Sequence, residues 1–134
     1  VDLKFDNNMP IYFQIMNWIK EQIVSNKFSS GSKLPSVRDM SEQFNVTPNT
    51  IQRVYRELEF EEIIYTQRGI GVFITQDVNK IKSLRLSMSE QLVKNFLGSM
   101  KTLGFNEDEI INTVMRTAKE GGSNGDNSPD KGSM

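Results

Sequence analysis

Three short stretches of this sequence carry side chains suited to reading DNA. Between Pro48 and Leu58, helical spacing places Ile51, Val54, Tyr55 and Leu58 on one face. Asn49, Thr50, Gln52, Arg53 and Arg56 fall on the other. Asn and Gln pair bidentately with adenine, and Arg with guanine, in a major groove. The start of such a helix reaches base edges, so Asn49, Thr50 and Arg53 are the expected base readers. Arg56 lies a turn further on, with Glu59 as an alternative partner. Ser36 and Arg38 open the preceding helix, where backbone N–H groups, a hydroxyl and a guanidinium suit a phosphate. Arg38 is also a candidate for a base contact. Arg68 sits beside Gly69, which lets a backbone come close, and this pair suits a minor groove or a flanking phosphate. Lys33 adds a phosphate contact, and Thr47, the expected cap of the recognition helix, completes the DNA-facing set.

Composition narrows the alternatives. The 134 residues include no Cys and no His. Disulfides, thiolate zinc sites, imidazole ligands and the commonest general base are therefore excluded. An enzyme would have to work through carboxylates, Lys, Tyr or Ser, and the spacing of Glu59, Glu61 and Glu62 matches no calcium loop. No cofactor and no metal site is expected. Sixteen basic residues against seventeen acidic ones give a net charge of −1, which excludes a uniformly basic coat for nucleic acid. Residues 27–75 hold six of each sign, and four of the acids crowd into 57–62. The expected domain is polarised, basic toward DNA and acidic away from it. No apolar run approaches the ~20 residues of a membrane span. The opening residues lack the charged-then-apolar signal pattern, so a cytoplasmic protein is expected.

The elements that must position these groups follow from periodicity. Ile11, Ile15, Trp18, Ile19 and Ile23 make one face of a helix starting near Pro10. Ser36 caps a second helix, with Asp39 at its positive end and Val37, Met40 and Phe44 on one face. Asn45-Val46-Thr47 is a short turn, and Pro48 opens the third helix. Two short helices joined in this way form a helix-turn-helix. Ile63–Gln67 and Ile70–Thr75 then read as two strands around a tight turn at Arg68-Gly69. The fold expected is α+β, mostly α: a winged helix-turn-helix domain followed by a short helical C-terminal dimerisation segment. The boundaries are an N-terminal arm at 1–9, the winged domain at 10–75, the helical segment at 76–120 and a disordered tail at 121–134.

Leu34-Pro35-Ser36-Val37-Arg38-Asp39-Met40, Phe44-Asn45-Val46-Thr47-Pro48-Asn49-Thr50-Ile51, Tyr55-Arg56-Glu57-Leu58-Glu59 and Arg68-Gly69-Ile70-Gly71-Val72-Phe73-Ile74 together resemble the DNA-binding domain of the GntR family of bacterial transcription factors. The match covers about residues 10–75. The short helical remainder resembles the YtrA-like subfamily, which implies a dimeric repressor of an operon encoding a transporter. The resemblance also implies DNA contacts at Ser36, Arg38, Asn49, Thr50 and Gly69. Pro48 and Gln52 depart from the arginines that many members carry there, so base preferences do not transfer from other branches.

In the C-terminal segment, Val78, Ile81, Leu84, Leu86, Met88, Leu92, Val93, Phe96, Leu97 and Met100 spread broadly round one helix. Asn106 and Glu109 form a capping box before Ile110, Ile111, Val114 and Met115. Two such helices cannot close a core alone. They either fold back on the winged domain or meet a second chain. The second is favoured, with Leu84, Leu92, Phe96, Met100, Ile111 and Met115 at the interface. A homodimer matches double-stranded DNA with a two-fold symmetric operator, its half-sites roughly 34–36 Å apart. Lys80, Lys82 and Arg85 are either flanking phosphate contacts or solvated surface. Phe96, Met100, Phe105 and Met115 either fill the dimer core or line a pocket for a small-molecule effector of unknown identity. A winged-helix protein-interaction module without specific DNA binding is the alternative function.

Overall fold

The computed structural model describes residues 3–126. Helix α1 (Ile11–Val24) turns Ile15, Met16, Ile19 and Ile23 inward. Pro10 precedes it as cap, because its ψ of 141° is extended although its φ of −58° already suits a helix. Helix α2 (Val37–Phe44) begins where the Ser36 hydroxyl accepts a hydrogen bond from the Asp39 amide at 3.0 Å. Asn45 ends it in the left-handed conformation, which Asn tolerates better than most residues. Helix α3 (Pro48–Phe60) follows after a two-residue turn and Thr47, with Pro48 at its first position.

Strand β1 (Ile64–Gln67) pairs antiparallel with β2 (Gly71–Ile74), with Gln67 opposite Gly71 and Ile64 opposite Ile74. The loop holds three residues rather than the expected two, because Ile70 stays outside the strand and its amide donates to Gln67 O at 2.9 Å. Gly69 supplies the φ of 76° at the third position of that turn, a conformation few other residues adopt cheaply. A third segment joins the hairpin. Leu34 N donates to Val72 O at 2.8 Å, Ile74 N to Ser32 O at 2.9 Å and Gly31 N to Ile74 O at 3.0 Å. Lys33 thus bridges Phe73, and the wing is locked at its root to the segment entering α2.

Ile15, Ile19, Met40, Ile51, Val54, Leu58, Ile64 and Ile74 are essentially without solvent exposure and form one cluster. Each such side chain contributes roughly 1.5–3 kcal/mol on burial. The N-terminal arm belongs to this cluster. Leu3 and Phe5 are partly buried on it, and Phe5 meets Phe44 at 6.3 Å between ring centroids. Gln14 fixes the arm: its Oε1 accepts from Asp6 N at 2.8 Å, and its Nε2 donates to Asp6 O at 2.7 Å and Met9 O at 2.8 Å.

Helix α4 (Val78–Thr102) is continuous over 25 residues and starts where Asp77 Oδ1 accepts from the amides of Asn79 and Lys80. Ile81 and Leu84 pack on the winged core. The chain therefore divides into compact units at Ser87/Met88 rather than at 75/76. Leu84, expected at a dimer interface, is engaged within the first unit, because it lies one turn from Ile81 on the same helical face. Helix α5 (Glu107–Asp126) starts with the expected capping box, Asn106 N to Glu109 Oε1 and Glu109 N to Asn106 Oδ1, both 2.9 Å. Its backbone continues past the boundary expected at Gly121, since each residue added to a formed helix gains one hydrogen bond. The rest of the expected tail, 127–134, lies outside the described residues.

Candidate nucleic-acid interface

Helix α3 is anchored through its apolar face and through one polar tie. The Tyr55 hydroxyl donates to Pro35 O at 2.7 Å. Burial, with a smaller push from the Asp39 carboxylate, holds that phenol well above the ordinary tyrosine range, so it stays protonated and donating. This bond fixes the recognition helix to the turn that opens α2. Helical periodicity assigns Tyr55 to the core and gives no sign of its hydroxyl bond, which joins residues far apart in sequence.

On the opposite face Asn49, Gln52, Arg53 and Arg56 are exposed, while Thr50 is half-buried. The Thr47 side chain does not cap a backbone amide; its hydroxyl lies 3.2 Å from that of Thr50. Both hydroxyls retain capacity for a further partner. Arg53 is not extended freely: its guanidinium carbon lies 3.6 Å from the centroid of the Tyr12 ring on α1. Arg56 does not pair with Glu59. That carboxylate instead accepts from the Thr66 amide and hydroxyl, both at 3.3 Å.

At the start of α2, Ser36 is exposed and its hydroxyl proton remains available, because the oxygen serves as acceptor in the cap. Arg38 Nε lies 3.5 Å from Glu42, with 85% of the arginine side chain exposed. An exposed pair of this kind is worth little and leaves the guanidinium ready to exchange partners. Lys33 lines a surface depression with Pro35, Asp39 and Gln43. Its aliphatic stem crosses Gly71, where an added Cβ would come 2.5 Å from Lys33 Cε. Gly71, with a φ of 152°, is favoured by its backbone, while the Lys33 side chain could swing aside from an added Cβ. Arg68 and Gly69 are exposed at the wing tip.

The acids at the far end of α3 are occupied elsewhere. Glu61 pairs with Lys20 at 3.0 Å, and Glu62 reaches Lys80 at 4.0 Å. Lys80 is thereby directed toward a carboxylate. Glu59, Glu61 and Glu62 thus meet partners outside α3, while Arg53 and Arg56 lie on its exposed face and Arg68 at the wing tip.

Of the six expected interface residues, Leu92, Phe96, Ile111 and Met115 are exposed in the second unit. Phe96, Ile111 and Met115 come together with Val93, Leu97 and Ile110 around a cleft of about 290 Å³. Met100 and Phe105 do not line it. Sequence reasoning missed Tyr12, Gln14 and Asp77. Gln14 had a usable signal, since it is polar at a position one turn from Trp18 on the apolar stripe of α1.

Helix, helix-turn-helix and paired strands, with polar and basic groups on the exposed side of α3, define a winged helix-turn-helix DNA-binding protein. The family model for "Bacterial regulatory proteins, gntR family" matches residues 11–74. The HTH-type transcriptional regulator YhcF of Bacillus subtilis (strain 168) is 38% identical over 122 residues, 91% of this chain and 100% of YhcF. The HTH-type transcriptional repressor YtrA of the same strain is 41% identical over 71 residues, 53% of this chain and 55% of YtrA. A solved GntR family transcriptional regulator from Listeria monocytogenes aligns with a TM-score of 0.77 and 44% identity, covering 84% of this chain and 98% of that one. The chain belongs to the GntR family; it is a DNA-binding transcriptional regulator and not an enzyme. Among the described residues, no helix is long and apolar enough to cross a membrane.

Proposed function

We propose that this chain acts as a homodimeric repressor of a transporter-type operon, binding a two-fold symmetric operator. Helix α3 enters the major groove with Asn49, Thr50 and Gln52 toward base edges. Ser36, Arg38 and Lys33 take phosphates, Thr47 lies at the groove edge, and Arg68-Gly69 follows the minor groove. The observation that carries this reading is the Tyr55–Pro35 bond, which presets the α2 start against the recognition helix. Repression is supported by the likeness to the repressor YtrA, and a transporter operon rests on the sequence resemblance to the YtrA-like subfamily.

Homodimerisation is supported by the second unit. Leu92 is 70% exposed and Met115 58%, while Ile110 is the one buried apolar side chain there among the described residues. Apolar surface of this extent on two helices is stabilised by a second copy. Any effector then binds at or near that interface.

Selection from a random duplex pool at two salt concentrations tests the reading. The expected result is a two-fold symmetric consensus with salt-sensitive affinity. Arg38→Ala should flatten the log–log salt slope by about 0.9 for each phosphate that the arginine neutralises. Binding without a consensus overturns sequence-specific regulation, and no binding favours a protein-interaction module. Deletion of the gene followed by transcript measurement tests repression: transcripts beside the selected operator should rise.

A further inference from the structure

Arg53 combines two properties that suit a phosphate contact. Its guanidinium is drawn off α3 onto the Tyr12 ring of α1, at 3.6 Å from the centroid. Glu57, four residues along α3, is the default partner at that spacing, yet no Arg53 ion pair within 4.0 Å occurs among the described residues. The first turn of α1 brings no acid beside it either. Tyr12 itself is half-buried and packed on the winged core, so the ring is a fixed platform.

At that distance the guanidinium can lie flat on the ring, which keeps its N–H donors, held in its plane, for another partner. A phosphate takes that edge as two parallel charge-assisted hydrogen bonds. We propose that Tyr12 is a positioning residue for DNA binding, holding Arg53 as a clamp on the DNA backbone. This rests on α3 being the DNA-contacting helix, and it replaces the base-reading role expected of Arg53 from sequence. The stack orders a side chain that otherwise loses rotamer freedom on binding, so the clamp is partly preorganised.

The test compares a selected duplex with a scrambled duplex of equal length across a salt series. Arg53→Ala should weaken both by about tenfold and reduce the salt slope by about 0.9 for each phosphate clamped, with the consensus unchanged. Tyr12→Leu should weaken binding about threefold, and Tyr12→Phe, which keeps the ring, should match the parent. In the Tyr12→Leu background the further effect of Arg53→Ala should shrink, because the pair acts as a unit. Arg53→Lys, which leaves the core untouched, should retain the salt slope but bind more weakly, since an ammonium lacks the flat stacking surface. Relaxed preference at one operator position in Arg53→Ala overturns the clamp, as do additive effects of Tyr12→Leu and Arg53→Ala. Parental affinity in Arg53→Lys overturns the need for stacking. Failure of the parent to bind either duplex sinks the DNA-contacting role of α3 itself, and is thereby distinguished from failure of the clamp alone.

Discussion

In the first unit, α1, α2, α3 and the hairpin bury a continuous set of side chains from Ile15 to Ile74, whereas the described residues beyond Met88 bury Ile110 alone. Both regions carry apolar residues at helical spacing, so the difference lies in what the stripes face. In α1 and α3 the stripes meet in one shared core. Leu92, Phe96, Ile111 and Met115 face solvent in the isolated chain. A self-sufficient core and an incomplete one therefore look alike in periodicity, and only tertiary placement separates them.

The contrast can be broken by mutation, and the largest effect belongs to the closed core. Ile19→Ala removes a side chain of 0% exposure, and should cost about 2–5 kcal/mol in denaturant unfolding. An equal cost from Ile111→Ala, at 55% exposure, in a dilute monomeric sample would erase the distinction. Phe96→Glu should instead act on assembly, weakening self-association by at least about tenfold in sedimentation, as for a truncated interface anchor. Unchanged sedimentation with unchanged operator affinity would remove these helices from the dimer interface.

The tie between α3 and the α2 start should be smaller and pH-dependent. Tyr55→Phe removes the bond to Pro35 O and should cost about 1 kcal/mol near neutral pH. The raised folded-state pKa of Tyr55 means that the unfolded phenol ionises first, near its ordinary value of about 10. The folded state then binds more protons, so stability falls as pH rises above about 10. Unfolding measured from pH 8 to 11 should show a steeper decline in the parent than in Tyr55→Phe. Effects of comparable size are expected at the helix starts. Ser36→Ala and Asn106→Ala should each cost about 0.5–2 kcal/mol, read as overall stability for the first and as helicity by circular dichroism for the second.

Local patterns make much of this legible. Ser36 with Asp39 and Asn106 with Glu109 mark helix starts because capping chemistry acts within four residues, and Pro48 marks a third because its fixed φ suits a first helical position. The inner faces of α1, α2 and α3 are readable because burial follows the helical period. Contacts between segments distant in sequence are not. The Lys33–Phe73 bridge, the Tyr55 hydroxyl on Pro35 and the Tyr12–Arg53 stack depend on how elements meet, and single-chain periodicity carries no such information. Leu84 shows the same limit in reverse. Its spacing fits a dimer stripe, and within the chain it is partly buried against the winged core.

The seam between residues 31–34 and β2 has a consequence for timescales of motion. Leu34 N and Ile74 N are held by partners on opposite sides of that seam. Their amides cannot meet solvent unless the wing root and the approach to α2 separate together, so hydrogen exchange there follows large cooperative openings. Arg68, Gly69 and Ile70 lie beyond the last pair of β1 and β2, and their rearrangement breaks none of those bonds. The wing thus joins a base held by bonds across the seam to a tip whose rearrangement leaves those bonds intact.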